Sequence, residues 1–249
     1  MTESVKKTYD ENGYVVIKNA ISSDLLQRLR DHFERTSERH SNVPPEKWNF
    51  WLFENDDEWL RLINDAEILD QVEKILGTNI IHLGSHYWSK PPRIGQPVSW
   101  HQDGAYYELS HMSFVTIWIA LDRSVKENGC LKVIPGTHKE AFKPLISTND
   151  DPFLKRKMDV TSLDDSESIY IELEPGDVSL HNPNIYHGSE RNESDLWRRG
   201  FVIKFISGDV DIAPEMDWPW AYLVRGECTS EVTRKILKDG RPQNADAPA

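Results

Sequence analysis

From Ile80 onward the chain breaks into short β-rich runs separated by Gly, Pro and Asn turn signals, and this punctuation limits the fold more than any other feature. The runs cover 80–87, 114–121, 131–134, 168–173 and 201–206; the breaks include Lys90-Pro91-Pro92, Asn128-Gly129, Pro135-Gly136 and Pro175-Gly176-Asp177. Runs this short reverse direction at each turn, so they must pair with one another in a sandwich or barrel. Helical periodicity is concentrated before them. Ser22 or Ser23 caps a helix reaching about 38, with Leu25, Leu26, Leu29 and Phe33 on one face, and a second helix spans 66–76 and stops at Gly77. Tyr14-Val15-Val16-Ile17 is expected to form a strand after the turn residues Asn12-Gly13, and a closing helix is expected over 230–237. The expectation is a mostly β protein with flanking helices packed on its outside.

Nothing divides the chain. No repeat, low-complexity tract or flexible linker interrupts its 249 residues, a length that suits one domain with a sizeable core. The expected layout is a single domain over 1–249: a core at about 10–205, a C-terminal arm to about 239 and a loose tail at 240–249. No apolar run is long enough to span a membrane as a helix, and the polar opening Met1–Lys7 does not read as a secretory leader. Two cysteines, Cys130 and Cys228, are too few for a Cys-rich zinc site or a disulfide framework, so a cytoplasmic setting is expected. The net charge of −12 excludes nucleic acid as a routine partner and weighs against a polyanionic substrate. Nine Trp residues suit a β-rich core, with some left to line a small-ligand pocket.

The chemistry concentrates in Trp100-His101-Gln102-Asp103-Gly104. Residues two apart on a strand face the same way, so His101 and Asp103 can offer an imidazole and a carboxylate to one ion. Tyr186-His187-Gly188-Ser189 can bring a third ligand, His187, from a distant strand. Two His and one carboxylate leave one face of an octahedral ion open, the arrangement of non-haem Fe(II) sites, although Zn(II) also accepts these ligands. Arg198, ahead of the apolar run Phe201-Val202-Ile203, tips the balance. A guanidinium there can grip the far carboxylate of a ketoacid that chelates the metal at its other end. His181 shares strand parity with His187 and stands as an alternative distal ligand, and Arg199 is the rival of Arg198. The Gly-Ser after His187 and the spacing to Arg198 favour His187 over His181, and Arg199 points to the opposite side of the strand. His32, His40 and His111 read as solvent-facing or ordinary packing residues, and His82 and His138 as structural.

These pieces together resemble the phytanoyl-CoA dioxygenase family of Fe(II)- and 2-oxoglutarate-dependent oxygenases. The match runs in order through Asn12-Gly13-Tyr14-Val15-Val16-Ile17, Lys90-Pro91-Pro92, Trp100-His101-Gln102-Asp103, Trp118-Ile119-Ala120-Leu121-Asp122, Glu127-Asn128-Gly129-Cys130-Leu131 and Ile134-Pro135-Gly136-Thr137-His138-Lys139. It ends with His187-Gly188-Ser189, Asn192, Ser194 and Arg198, so it covers about 10–205. The resemblance implies a double-stranded β-helix, the cupin-like jelly roll. It also implies that His101, Asp103 and His187 bind iron and that Arg198, helped by Ser189, takes the 5-carboxylate of 2-oxoglutarate. Trp118 and His86 fall where the family contacts this co-substrate, although a histidine departs from the family's usual residue at 86. A carboxylate at 103, where halogenating relatives carry a small residue, implies hydroxylation or a related oxidation with succinate and CO2 as co-products.

The substrate is expected to be a small metabolite, an amino-acid derivative or a natural-product intermediate rather than an acyl-CoA, given the acidic balance. Tyr106, Tyr107, Trp51, Phe53, Trp218 and Trp220 are the aromatic residues expected to wall its pocket. Two other classes compete. A zinc or manganese cupin-type hydrolase or isomerase would use the same triad but leave Arg198 without a task. A non-catalytic jelly-roll binding protein would have no need of an intact triad.

Overall fold

The structure is a computed structural model and describes residues 2–48, 56–149, 151, 153–216, 218 and 220–238. Helix α1 (Thr2–Asn12) leads into strand β1 (Tyr14–Ile17), followed by α2 (Ser23–Arg39), α3 (Asp57–Ile63) and α4 (Ala66–Leu76). Strands β2 (Ile80–Lys90), β3 (Val98–His101), β4 (Phe114–Ala120), β5 (Leu131–Val133), β6 (Leu145–Ser147) and β7 (Arg156–Met158) come next. The chain finishes with β8 (Ile169–Ile171), β9 (Val178–His181), β10 (His187–Ser189), β11 (Arg198–Ser207), β12 (Tyr222–Arg225) and the single-turn α5 (Glu231–Arg234).

Two antiparallel sheets carry the fold: a major one in the order β1-β9-β4-β11-β2-β12 and a minor one in the order β3-β10-β5-β8. Facing each other with helices on one side, they make the expected jelly roll. The alternation of residues along each strand separates two cores. On β4 and β11, Val115, Ile117, Ile119, Phe201, Ile203 and Phe205 point outward, beneath Leu25, Leu29 and Phe33 of α2 and Ile68, Leu69 and Val72 of α4. Trp118, Ala120 and Val202 point inward and meet Val133, Ile171 and Ile185 on the minor-sheet side. The helices are set by local chemistry. Ser22 caps α2 by accepting the Leu25 N–H, Asp56 caps α3, and Gly77, at φ +80°, ends α4.

The strands expected at 80–87 and 201–206 extend further, to Lys90 and back to Arg198, because their polar ends are buried against each other rather than left in solvent. The closing helix expected over 230–237 shortens to one turn, capped by Ser230. No helix is long and apolar enough to cross a membrane among the described residues. Trp51, Phe53 and the 240–249 tail lie outside the described residues.

Gly200 occupies a tight point of the inner layer. A Cβ there would lie 2.1 Å from Cζ2 of the Trp118 indole. Gly200→Ala is therefore expected to cost about 1–3 kcal/mol in urea unfolding, the range for overpacking a filled core. An unchanged midpoint would mean that Trp118 does not lie across β11 as described.

Candidate metal centre and co-substrate pocket

The two sheets part at one end around a cavity of about 590 Å³. His101 at the end of β3 and His187 at the start of β10 are direct cross-strand partners, and their ring centroids lie 4.0 Å apart. Gln102 remains extended (φ −124°, ψ 119°), so Asp103 returns to the face of His101. One correction to the sequence reading follows: Asp103 is not on the strand but opens the 3-10 turn Asp103–Tyr106. The i, i+2 relation survives because only Gln102 needs to be extended.

Donor atoms of His101, Asp103 and His187 all lie within 4.8 Å of one another, and all three side chains are buried. Each histidine Nδ1 sits by a backbone carbonyl, Ser99 O at 2.9 Å and Ile185 O at 3.0 Å. A carbonyl can only accept, so the proton resides on Nδ1 and each Nε2 turns a lone pair inward. Those Nε2 atoms lie 3.8 and 3.9 Å from Asp103 Oδ1. Donors that each bond one ion at about 2.1 Å cannot be more than about 4.2 Å apart, and both distances to the Asp103 carboxylate meet that limit. Burial pushes the pKa of both His101 and His187 below the ordinary value, which keeps them neutral and ready as ligands. Burial alone would raise the Asp103 pKa, but Lys204, His181, His187 and His101 outweigh it and hold the carboxyl well below its usual range.

His181 also enters this cluster from β9, with Nε2 3.6 Å from Asp103 Oδ2 and its ring 4.9 Å from that of His187. It falls outside the set of donors within 4.8 Å, and Thr116 Oγ1 already donates to the same Oδ2 at 2.8 Å. Lys204 Nζ lies 3.4 Å from Oδ1. The sequence reading missed both Thr116 and Lys204. Its one available signal for the second was a lysine set in Val202-Ile203-Lys204-Phe205-Ile206, a strand apolar on both faces.

Arg198 lies further along the inner face of β11 and is 2% exposed. Its guanidinium stacks 5.5 Å from the Trp118 ring centre, and Nη1 donates to the Trp88 carbonyl at 3.2 Å. Nε and Nη2 have no partner among the described residues. A buried guanidinium with two idle donor groups, facing a cavity shared with three metal-ligand candidates, fits the far carboxylate of a bound ketoacid. Arg199 points the other way and is held by Asp122 at 2.7 and 2.9 Å and Glu34 at 2.6 Å, so it is no rival.

Ser189, Trp118, His86, Tyr106 and Tyr107 line the cavity. Burial, and then Lys204, push the His86 pKa down to about 3. Trp218 and Trp220 require correction, since neither lines the cavity. Trp218 packs on Tyr107 and donates to the Leu83 carbonyl, while Trp220 lies beneath Lys238. His82 is structural, between the Trp220 carbonyl and Ser85.

The family model for phytanoyl-CoA dioxygenase (PhyH) matches residues 9–200. The peroxisomal phytanoyl-CoA dioxygenase of Mus musculus is 31% identical over 238 residues, covering 84% of this chain and 69% of that protein. Among solved structures, the apo non-heme monooxygenase ThoJ superposes with a TM-score of 0.76 at 20% identity, covering 95% of this chain and 87% of that one. The non-heme alpha ketoglutarate dependent epimerase SnoN from nogalamycin biosynthesis superposes with a TM-score of 0.70 at 17% identity, covering 98% and 96%.

The Thr116–Asp103 hydrogen bond gives a test that leaves the ligands in place. Thr116→Val is nearly isosteric and is expected to weaken Co(II) or Mn(II) affinity about 10–100-fold, as outer-shell partners of metal ligands do. Calorimetry with a thermal melt alongside would read it, and unchanged affinity in a folded variant would remove Asp103 from the metal's coordination.

Proposed function

The chain belongs to the phytanoyl-CoA dioxygenase family of Fe(II)- and 2-oxoglutarate-dependent oxygenases, and on that footing we propose that it hydroxylates an unactivated C–H bond of a small metabolite. The observation that carries this reading is a buried His101–Asp103–His187 cluster facing the same cavity as the half-unpaired Arg198 guanidinium. His101, Asp103 and His187 would hold the iron, and Arg198 with Ser189 would hold the 5-carboxylate of 2-oxoglutarate. Once bound, Fe(II) and 2-oxoglutarate supply dioxygen activation coupled to release of succinate and CO2.

The chain's own part is placement and exclusion of water. Trp118, its ring centre 5.5 Å from the Arg198 guanidinium carbon, would close one side of the co-substrate position. His86, kept neutral by burial, presents an uncharged wall. Tyr106, its ring centre 6.2 Å from that of His101 and its hydroxyl donating to the Arg156 carbonyl, would face the substrate. Substrate would enter beside the metal ligands, where Lys204 is already paired with Asp103 and Tyr106 and Tyr107 offer aromatic walls suited to a small metabolite such as an amino-acid derivative. The net charge of −12 offers little to the phosphates of an acyl-CoA or a nucleic acid. We read the chain as one oxygenase domain, working in a reducing compartment such as the cytoplasm, where the free thiols Cys130 and Cys228 would stay reduced.

Fe(II)-loaded wild-type protein is expected to release succinate slowly from 2-oxoglutarate in air without any substrate. Arg198→Met should raise KM for 2-oxoglutarate about 30-fold or more, because loss of a buried charge pair costs about 2–5 kcal/mol. No succinate from iron-loaded wild type would sink the oxygenase reading in favour of a hydrolase or a binding protein.

A further inference from the structure

Two buried basic side chains stand side by side at the Arg198 end of the cavity. Lys90 at the end of β2 is the direct cross-strand partner of Arg198, and they are 0% and 2% exposed. Like charges directly opposite on neighbouring strands repel, and burial adds to the cost. Neither makes an ion pair among the described residues: Arg198 donates to the Trp88 carbonyl, while Lys90 Nζ meets Ser189 Oγ at 2.7 Å and the Glu190 carbonyl. Ser189 and Arg198 line the cavity, and Lys90 sits behind Ser189.

We infer that Lys90 is a positioning residue of the co-substrate site, taking up a proton from solvent as the carboxylate arrives and turning the Ser189 O–H toward it. The inference rests on Arg198 and Ser189 receiving that carboxylate. Its logic is donor counting. An ammonium has three N–H groups and no acceptor, so it can only donate to Ser189 Oγ, and the single Ser189 proton must then go elsewhere. The cavity beside Arg198 is where an acceptor would arrive. A neutral amine can instead accept the Ser189 proton, which leaves the cavity without that donor.

The surroundings set which form prevails. Burial, and then Arg198, push the Lys90 pKa down to about 6, against the opposing pull of Glu190, Cys130 and Asp151. Burial lowers that of Arg198 only to about 10, and burial raises the Cys130 thiol to about 12, so neither titrates near neutrality. Near neutral pH the free protein therefore holds Lys90 largely as the amine. A carboxylate beside Arg198 offsets the repulsion and raises the Lys90 pKa. Since the charged form is favoured only in the complex, binding consumes a proton, and affinity must fall as pH rises above the free value.

The test is calorimetric titration of 2-oxoglutarate into the Mn(II)-loaded full chain, in phosphate and in Tris buffers, between about pH 6.5 and 8.5. Wild type is expected to take up as much as one proton, with affinity falling by up to about tenfold per pH unit, the limit for one linked proton. Lys90→Met should bind more weakly with no uptake and a flat profile. Lys90→Arg, charged throughout, should also be flat. A purely structural lysine would shift affinity equally at every pH and leave the uptake alone. Wild-type binding without proton uptake overturns the inference with no variant needed, as does undiminished uptake in folded Lys90→Met. If Mn(II)-loaded wild type binds no 2-oxoglutarate at any pH, the co-substrate reading fails first and takes this inference with it.

Discussion

The site depends on the register of β11. This strand lies inside the major sheet, bonded to β4 on one side and β2 on the other, and both its faces are buried. Phe201, Ile203 and Phe205 fill the layer under the helices, and the alternate positions Arg198, Gly200, Val202 and Lys204 fall on the cavity side. A slip of one residue would exchange these sets, bringing Arg199 inward and burying Lys204 among helix side chains. Independent contacts oppose the slip: Arg199 is clamped by Asp122 outside, and only a glycine fits under the Trp118 ring inside. Packing thus fixes both the anion-gripping end of the cavity and the cation beside the metal ligands.

Electrostatics make the cavity the reverse of the surface. The chain carries a net charge of −12, yet Arg198, Lys204 and Lys90 gather in or just behind one cavity in which Asp103 is the buried carboxylate. Desolvating that carboxylate would be costly alone; Lys204 and Thr116 hold it ionised. A site of this kind suits an anion at Arg198, whose Nε and Nη2 have no partner among the described residues.

How much of this could be read from the sequence follows from the range of each interaction. Helix α4 was legible to its ends because Asp65, the Ile68–Leu69–Val72 stripe and Gly77 are local signals. The clustering of His101, Asp103 and His187 was legible because His-x-Asp is compact and the wider motif order is specific. Arg198 could be separated from Arg199 by strand parity once the apolar run was recognised. Thr116 and Lys204 were not legible, because their contact with Asp103 exists only through the pairing of β4 with β11, which no local pattern encodes. Lys90 was noticed as part of a Lys-Pro-Pro turn, but its burial depends on lying opposite Arg198. Trp218 and Trp220 misled for the converse reason: aromatic residues in an irregular arm look like a lid until their packing partners are known.

The central claim is that one ion, held by His101, Asp103 and His187, shares 2-oxoglutarate with Arg198. Anaerobic Fe(II) titration in the presence of 2-oxoglutarate, followed by visible absorption, tests it most directly. The account predicts a weak charge-transfer band in wild type that vanishes in His101→Ala and survives, at higher 2-oxoglutarate concentration, in Arg198→Lys. Stoichiometric Fe(II) binding with no band at saturating 2-oxoglutarate would contradict it.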